Sequence, residues 1–172
     1  MMINNNKKIA LSGLFIALGV LLAGTAIPVG VTKIMPLQHS LNVVVGILLG
    51  PWYALAVAFF TALLRLSLGT GTIFAFPGGI FGGLVVGYLY HFLRSDLTAL
   101  AEPLGTTLLG GTLSALVFAP AIGVGGSVFF FIYLFALSSV PGAVLGYLFI
   151  KILPRVKGLE QLAGGIKKEG SM

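Results

Sequence analysis

The chain has 172 residues, of which 58% are hydrophobic and 8% are charged. An average soluble domain carries about 25% charged residues, so this composition excludes both an ordinary soluble protein and an intrinsically disordered one. The net charge of +6 comes from short basic flanks between apolar runs, which does not indicate nucleic-acid binding, and the absence of cysteine excludes disulfides and thiol chemistry.

Six apolar segments predict an all-α integral membrane protein of one domain with six transmembrane helices. They cover about residues 9–27, 36–49, 51–66, 77–93, 103–122 and 128–152. The second and third are short for a hydrocarbon core of about 30 Å. Gly50-Pro51 divides them, because proline disfavours helix in the preceding residue and begins a new helix well. We expect residues 9–152 to form the bundle and residues 153–172 a cytoplasmic tail.

The distribution of basic residues predicts the topology. With six spans and the N-terminus inside, eight basic residues lie on the inner side, while only Lys33 and Arg65 lie on the outer side. If the second and third segments form one kinked span, the basic residues divide seven against three, and the N-terminal lysines fall on the side with fewer basic residues. The positive-inside rule therefore predicts six spans with both termini in the cytoplasm.

Glycines at four-residue spacing predict close helix packing, since small residues let two backbones approach each other in a membrane. They are Gly79, Gly83 and Gly87 in the fourth segment and the pairs Gly46/Gly50 and Gly142/Gly146.

No acidic residue falls inside any of the six segments. Asp96 and Glu102 precede the fifth segment, and Glu160 and Glu169 lie in the tail. Proton or sodium coupling through an intramembrane carboxylate is therefore not expected. The chain also has no phosphate-binding loop, serine elbow or H-E-x-x-H zinc helix, so we expect no catalytic residues, no metal site and no cofactor.

A first polar cluster occurs at the start of the second segment. Gln38 and Asn42 are four residues apart and share a helix face, with His39 beside them. An amide pair and an imidazole can satisfy a heteroaromatic ligand that carries both donors and acceptors. The alternative is that these side chains bond to neighbouring helices.

A second polar cluster spans the end of the third segment and the loop after it. Gly69–Thr72 contains two glycines and the hydroxyls of Thr70 and Thr72, which predicts a flexible lid over a ligand. Arg65 either anchors the ligand or the loop, or extends to the outer interface. Phe76 either stacks on a ligand ring or is an ordinary interfacial phenylalanine.

A third cluster lies in the sixth segment. Pro141 removes one helical hydrogen bond and frees the carbonyl of Leu137, a defect that Ser138 and Ser139 can satisfy. Broken helices of this kind also line binding cavities in transporters, which makes Ser138 and Tyr133 candidate ligand contacts.

Two stretches of the chain closely resemble the ThiW family. They read PLQHSLNVVVGILLGPWYALAVAF and LLRLSLGTGTIFAFPGGIFG, within a similarity in organisation that runs from about Lys8 to Ile152. The resemblance implies the substrate-binding S component of an energy-coupling factor (ECF) transporter, with six helices and an outward-facing pocket closed by loops. It also implies uptake of the thiamine precursor hydroxyethylthiazole across a prokaryotic cell membrane.

The same resemblance implies partners. S components dock through a small-xxx-small motif on the first helix onto a membrane coupling subunit, which carries two ATPase subunits. The matching positions here are Gly13 and Ala17, and the first is Gly where the family often has Ala.

Other functions stay open on the sequence alone. Within transport, they are uptake of hydroxymethylpyrimidine or of thiamine itself, although thiamine is a cation and no acidic residue is expected on the outer side. Outside transport, they are an intramembrane enzyme with His39 as base, or a channel or structural protein of the membrane.

Overall fold

The computed structural model describes residues 4–153, so the predicted tail at 153–172 lies outside the described residues apart from Leu153. It confirms an all-α membrane protein with six helices. They are α1 (Asn5–Leu21), α2 (Pro36–Leu49), α3 (Pro51–Ser67), α4 (Ala75–Leu93), α5 (Asp96–Ala121) and α6 (Val128–Ile152). The second and sixth predicted segments match α2 and α6 at both ends.

Four helical segments are long and apolar enough to cross a membrane. They are α1 with its 3₁₀ extension to Thr25, α4, α5 and α6. The remaining two, α2 and α3, have 14 and 17 residues. Helices α3 and α4 run antiparallel, because positions 51, 54 and 58 of α3 face positions 87, 83 and 79 of α4.

The chain between α1 and α2 contains a β-hairpin. The first predicted segment was expected to stay helical as far as Ile27, which instead begins the first strand of this hairpin. A 3₁₀ turn over Leu22–Thr25 is followed by two antiparallel strands, β1 (Ile27–Val29) and β2 (Thr32–Ile34). Pro28 explains the difference, since proline disfavours helix in the residue before it. Gly30 makes the turn at φ 57°, a left-handed conformation that glycine adopts without strain. We call this side of the bundle the hairpin end and the opposite side the termini end.

Helix α2 begins inside the bundle. The backbone N–H of Met35 donates to Ser138 Oγ at 2.6 Å, and Ser138 lies ten residues into α6, about 15 Å from its start. The extended residues after β2 therefore carry the chain part of the way into the bundle before α2 starts. This explains how a 14-residue helix is accommodated.

Helix α5 begins earlier than predicted, and this overturns the expectation that no acidic residue lies inside a span. A 3₁₀ segment over Asp96–Ala101 forms the start of α5. Pro103 lies in the first turn that follows this segment, a position where proline is tolerated. Glu102 is consequently part of α5 and has no exposed surface. The rest of α5 has π-type hydrogen bonding over Leu104–Gly111 and Ser114–Phe118.

The glycine pattern packs the helices as predicted, with one exception. A Cβ at Gly87 would lie 2.6 Å from Pro51 Cα, and one at Gly46 would lie 3.0 Å from the carbonyl oxygen of Gly83. Gly142 and Gly146 place α6 equally close to α2. The prediction is wrong for Gly50, which has open space around it and φ 94° and so makes the turn between α2 and α3.

Candidate functional site

A cavity opens at the hairpin end between α2, α3, α4 and α6. Its volume is about 540 Å³ when the open space at its mouth is included. The lining residues are Thr32, Lys33, Met35, Gln38, His39, Ala58, Thr61, Ala62, Arg65, Thr72, Phe74, Ala75, Gly78, Gly79, Phe135 and Ser138. Half of these sixteen residues are apolar or glycine, and the other half are polar or charged.

Three polar atoms of the lining residues are buried without a hydrogen-bond partner in residues 4–153. They are Gln38 Oε1 on α2 and, on α3, Thr61 Oγ1 and Arg65 Nε. A buried polar atom without a partner costs about 1–3 kcal/mol, and native proteins keep few of them. These atoms have almost no accessible surface, so a ligand recovers that cost only if side chains shift to uncover them on binding.

The lining carries positive charge. Arg65 is only 3% exposed, and its guanidinium donates to the sulfur of Met35. Lys33 on β2 donates from Nζ to the backbone carbonyl of Thr70 at 2.7 Å. Among the described residues, neither cation pairs with a carboxylate. The cavity therefore favours neutral or anionic ligands over cations.

One lining residue is bonded to the buried acid. His39 Nδ1 lies 2.8 Å from Glu102 Oε1, and the hydroxyl of Thr106 lies 2.6 Å from the same oxygen. Gly82 on α4 leaves the space for this carboxylate, since a Cβ there would collide with Glu102 and Thr106.

Two aromatic rings line the cavity, and neither is one of the predicted ones. Phe74 lies in the loop before α4 and Phe135 lies on α6, and both pack edge-on or tilted against Phe131. They give the cavity an apolar wall against which a flat ring can stack.

Five of the nine predicted ligand contacts line the cavity. They are Gln38, His39, Arg65, Thr72 and Ser138. Two of them also have bonds within the protein, because Ser138 accepts from the Met35 N–H and His39 bonds to Glu102. His39 thus bonds to a neighbouring helix, as the structural interpretation of the sequence expected, whereas Ser138 bonds to Met35. As contacts to a ligand, both residues stay predictions.

The other four predicted contacts lie outside the lining. Asn42 is one turn deeper in α2, where its Oδ1 lies 3.5 Å from Gln38 Nε2. The hydroxyl of Thr70 donates to the backbone carbonyl of Arg65 and so helps to cap the C-terminus of α3. Phe76 packs edge-on against Phe59, and Tyr133 is 62% exposed.

The sequence contains a pattern that separates the two α6 residues. Buried positions of α6 recur at three- and four-residue spacing through Phe131, Phe135, Ser138, Gly142 and Gly146, a face that leaves out residue 133. Phe135 could have been found from this spacing. Glu102 could not, because it precedes a proline that reads as the start of a helix.

Helix α1 leaves one face without contacts from the rest of the bundle. Gly13 and Ala17 are both exposed, and a Cβ at Gly13 would have no atom within 4 Å. Leu14 and Leu18 lie beside them and are 63% and 41% exposed. In a membrane, this face meets either lipid or another protein.

Comparison with known proteins gives one match. The family model described as "Thiamine-precursor transporter protein (ThiW)" matches residues 9–156. No curated protein and no solved structure matches the chain. The matched region covers most of the chain and includes every residue of the cavity, so the protein belongs to the ThiW family of thiamine-precursor transporter proteins.

Proposed function

We propose that this protein is the substrate-binding S component of an ECF transporter and that its cavity takes up 4-methyl-5-(2-hydroxyethyl)thiazole. The three partnerless polar atoms of Gln38, Thr61 and Arg65, in a cavity that Phe74 and Phe135 also line, carry this proposal. The thiazole has a flat ring for the wall, a ring nitrogen that accepts hydrogen bonds and a hydroxyl that donates and accepts.

The charge of the cavity supports a neutral precursor rather than thiamine. Thiamine contains a fixed cation, and a buried cation needs an acidic partner or an aromatic cage. Here Arg65 and Lys33 line the cavity, and the nearby carboxylate of Glu102 is bonded to His39 and Thr106 and does not line it. Hydroxymethylpyrimidine is neutral as well and remains the alternative precursor.

The exposed face of α1 supports a partner within the membrane. Gly13 and Ala17 present a flat surface on which another helix can approach closely. In the proposed assembly this face docks onto the membrane coupling subunit, and two ATPase subunits supply the energy. The protein then lies in a prokaryotic cell membrane with its hairpin end outside and both termini in the cytoplasm.

Mass spectrometry of the small molecules released from gently purified, denatured protein tests the choice of ligand. We expect hydroxyethylthiazole from the parent and from Ser139→Ala, a buried hydroxyl outside the cavity lining, and we expect a reduced amount from Arg65→Gln. Recovery of hydroxymethylpyrimidine or thiamine in its place would overturn the proposed substrate.

A further inference from the structure

Glu102 is a buried acid that the proposed binding of a neutral ligand does not itself require. It has no exposed surface and lies on α5, a helix that contributes no residue to the cavity lining. An acidic side chain inside a membrane protein is costly and usually has a specific role. It bonds directly to one lining residue, His39, and reaches the backbone of a second, Gly78, through the hydroxyl of Thr106.

The contacts of Glu102 bear on which imidazole nitrogen carries the proton. The Nδ1 of His39 and the hydroxyl of Thr106 converge on the same oxygen, Oε1, at 2.8 and 2.6 Å. The Thr106 hydroxyl has a single proton, which the carbonyl of Gly78 at 2.8 Å can also accept. A carboxylate oxygen only accepts, so an ionised Glu102 takes its hydrogen bond from Nδ1–H of His39. In a neutral imidazole the other nitrogen, Nε2, is then a hydrogen-bond acceptor.

The acceptor nitrogen is available to a ligand. Nε2 of His39 forms no hydrogen bond with residues 4–153, and the His39 side chain keeps 10% of its surface exposed where it lines the cavity. The side chain is held at two points, because Gly142 of α6 packs closely against its Cβ and Glu102 bonds to Nδ1 of the ring.

We propose that Glu102 is the positioning residue of this cavity: it holds neutral His39 with the proton on Nδ1, so that Nε2 selects ligands carrying an O–H or N–H donor. This inference rests on the proposed function for the identity of the ligand, but its statement about His39 does not. For hydroxyethylthiazole, the donor is the hydroxyl group of the side chain. A site built to bond a ligand hydroxyl rejects the analogue that lacks it, because the acceptor is then left unpaired.

The state of His39 can be measured without a ligand. Nitrogen-15 NMR distinguishes protonated from unprotonated imidazole nitrogens, and a His91→Gln background leaves His39 as the only histidine. We expect a protonated Nδ1 and an unprotonated Nε2 at neutral pH. A doubly protonated ring, or a ring with its proton on Nε2, would overturn the proposal, and this measurement needs no change at Glu102.

Binding of two ligands then tests selectivity. The parent should bind hydroxyethylthiazole about 3- to 100-fold more tightly than 4-methyl-5-ethylthiazole, the analogue without the hydroxyl. Glu102→Leu removes the acceptor for Nδ1 and should bring this ratio close to one, whereas Glu102→Gln keeps an acceptor oxygen and should retain most of it. An unchanged ratio in folded Glu102→Leu would overturn the role of Glu102. A parent that shows the expected His39 state but binds neither thiazole would overturn the proposed substrate instead.

Discussion

Lys33 Nζ lies 2.7 Å from the backbone carbonyl of Thr70 and so ties the β-hairpin to the loop between α3 and α4. The two residues are 37 positions apart, and within residues 4–153 this is the one side-chain hydrogen bond between these two loops. Both loops contribute residues to the cavity, Lys33 from one and Thr72 from the other. The bond therefore joins two segments that border the cavity at the hairpin end.

Lys33→Met should accelerate exchange of the ligand. If the bond acts as a latch, its loss raises both the association and the dissociation rate, by about 3- to 10-fold for a bond worth 0.5–1.5 kcal/mol. Stopped-flow fluorescence on purified protein measures the two rates, and Lys8→Met at the termini end is the control. Faster dissociation with unchanged association would instead identify Lys33 as a direct ligand contact.

Thr61→Val should weaken ligand binding without unfolding the protein. The substitution keeps the side-chain volume and removes a buried hydroxyl that has no protein partner, so the fold loses no hydrogen bond. We expect a loss of about 3- to 100-fold in affinity. Ser139→Ala removes a second partnerless buried hydroxyl that does not line the cavity, and it should bind as the parent does. Equal affinities of all three proteins would exclude Thr61 from the site.

Leucine at Gly13 or Ala17 should abolish uptake while ligand binding persists. Position 13 has open space around it, so the larger side chain does not disturb the bundle but blocks close approach of a partner helix. Uptake of labelled ligand and co-purification of a coupling subunit are the measurements. Val144→Leu, on an exposed part of α6, is the control and should transport normally. Normal uptake in both α1 variants would move the docking surface elsewhere.

Single cysteines should report the orientation in whole cells. The chain has no native cysteine, so each variant carries one reactive thiol. Gly125→Cys lies in an exposed loop at the hairpin end with open space around it, and an impermeant maleimide should label it from outside. Ser171→Cys should label only after the cells are permeabilised. The reverse pattern would contradict cytoplasmic termini.

Hydropathy and proline positions were sufficient to predict α2 and α6 at both ends, because these helices begin and end at strong local features. They did not predict the start of α5, since the 3₁₀ segment at Asp96–Ala101 precedes a proline that is otherwise a good first helical residue. Glu102 was consequently placed in a loop.

The candidate site was predictable where polar residues stand out against an apolar helix, as Gln38 and His39 do. It was not predictable where the lining depends on which side of a helix faces inward, because lipid-facing and buried positions of this chain are equally apolar. Phe76 is as suitable as Phe74 by residue type, and only the packing around the start of α4 separates these two.

Calorimetric titration of the purified protein tests the central claim most directly. With hydroxyethylthiazole we expect saturable binding of one ligand per chain, tighter than binding of thiamine, because Arg65 and Lys33 disfavour a cation in the cavity. Arg65→Gln should reduce the difference in affinity between hydroxyethylthiazole and thiamine. No saturable binding of the thiazole by folded protein, or tighter binding of thiamine, would contradict the account.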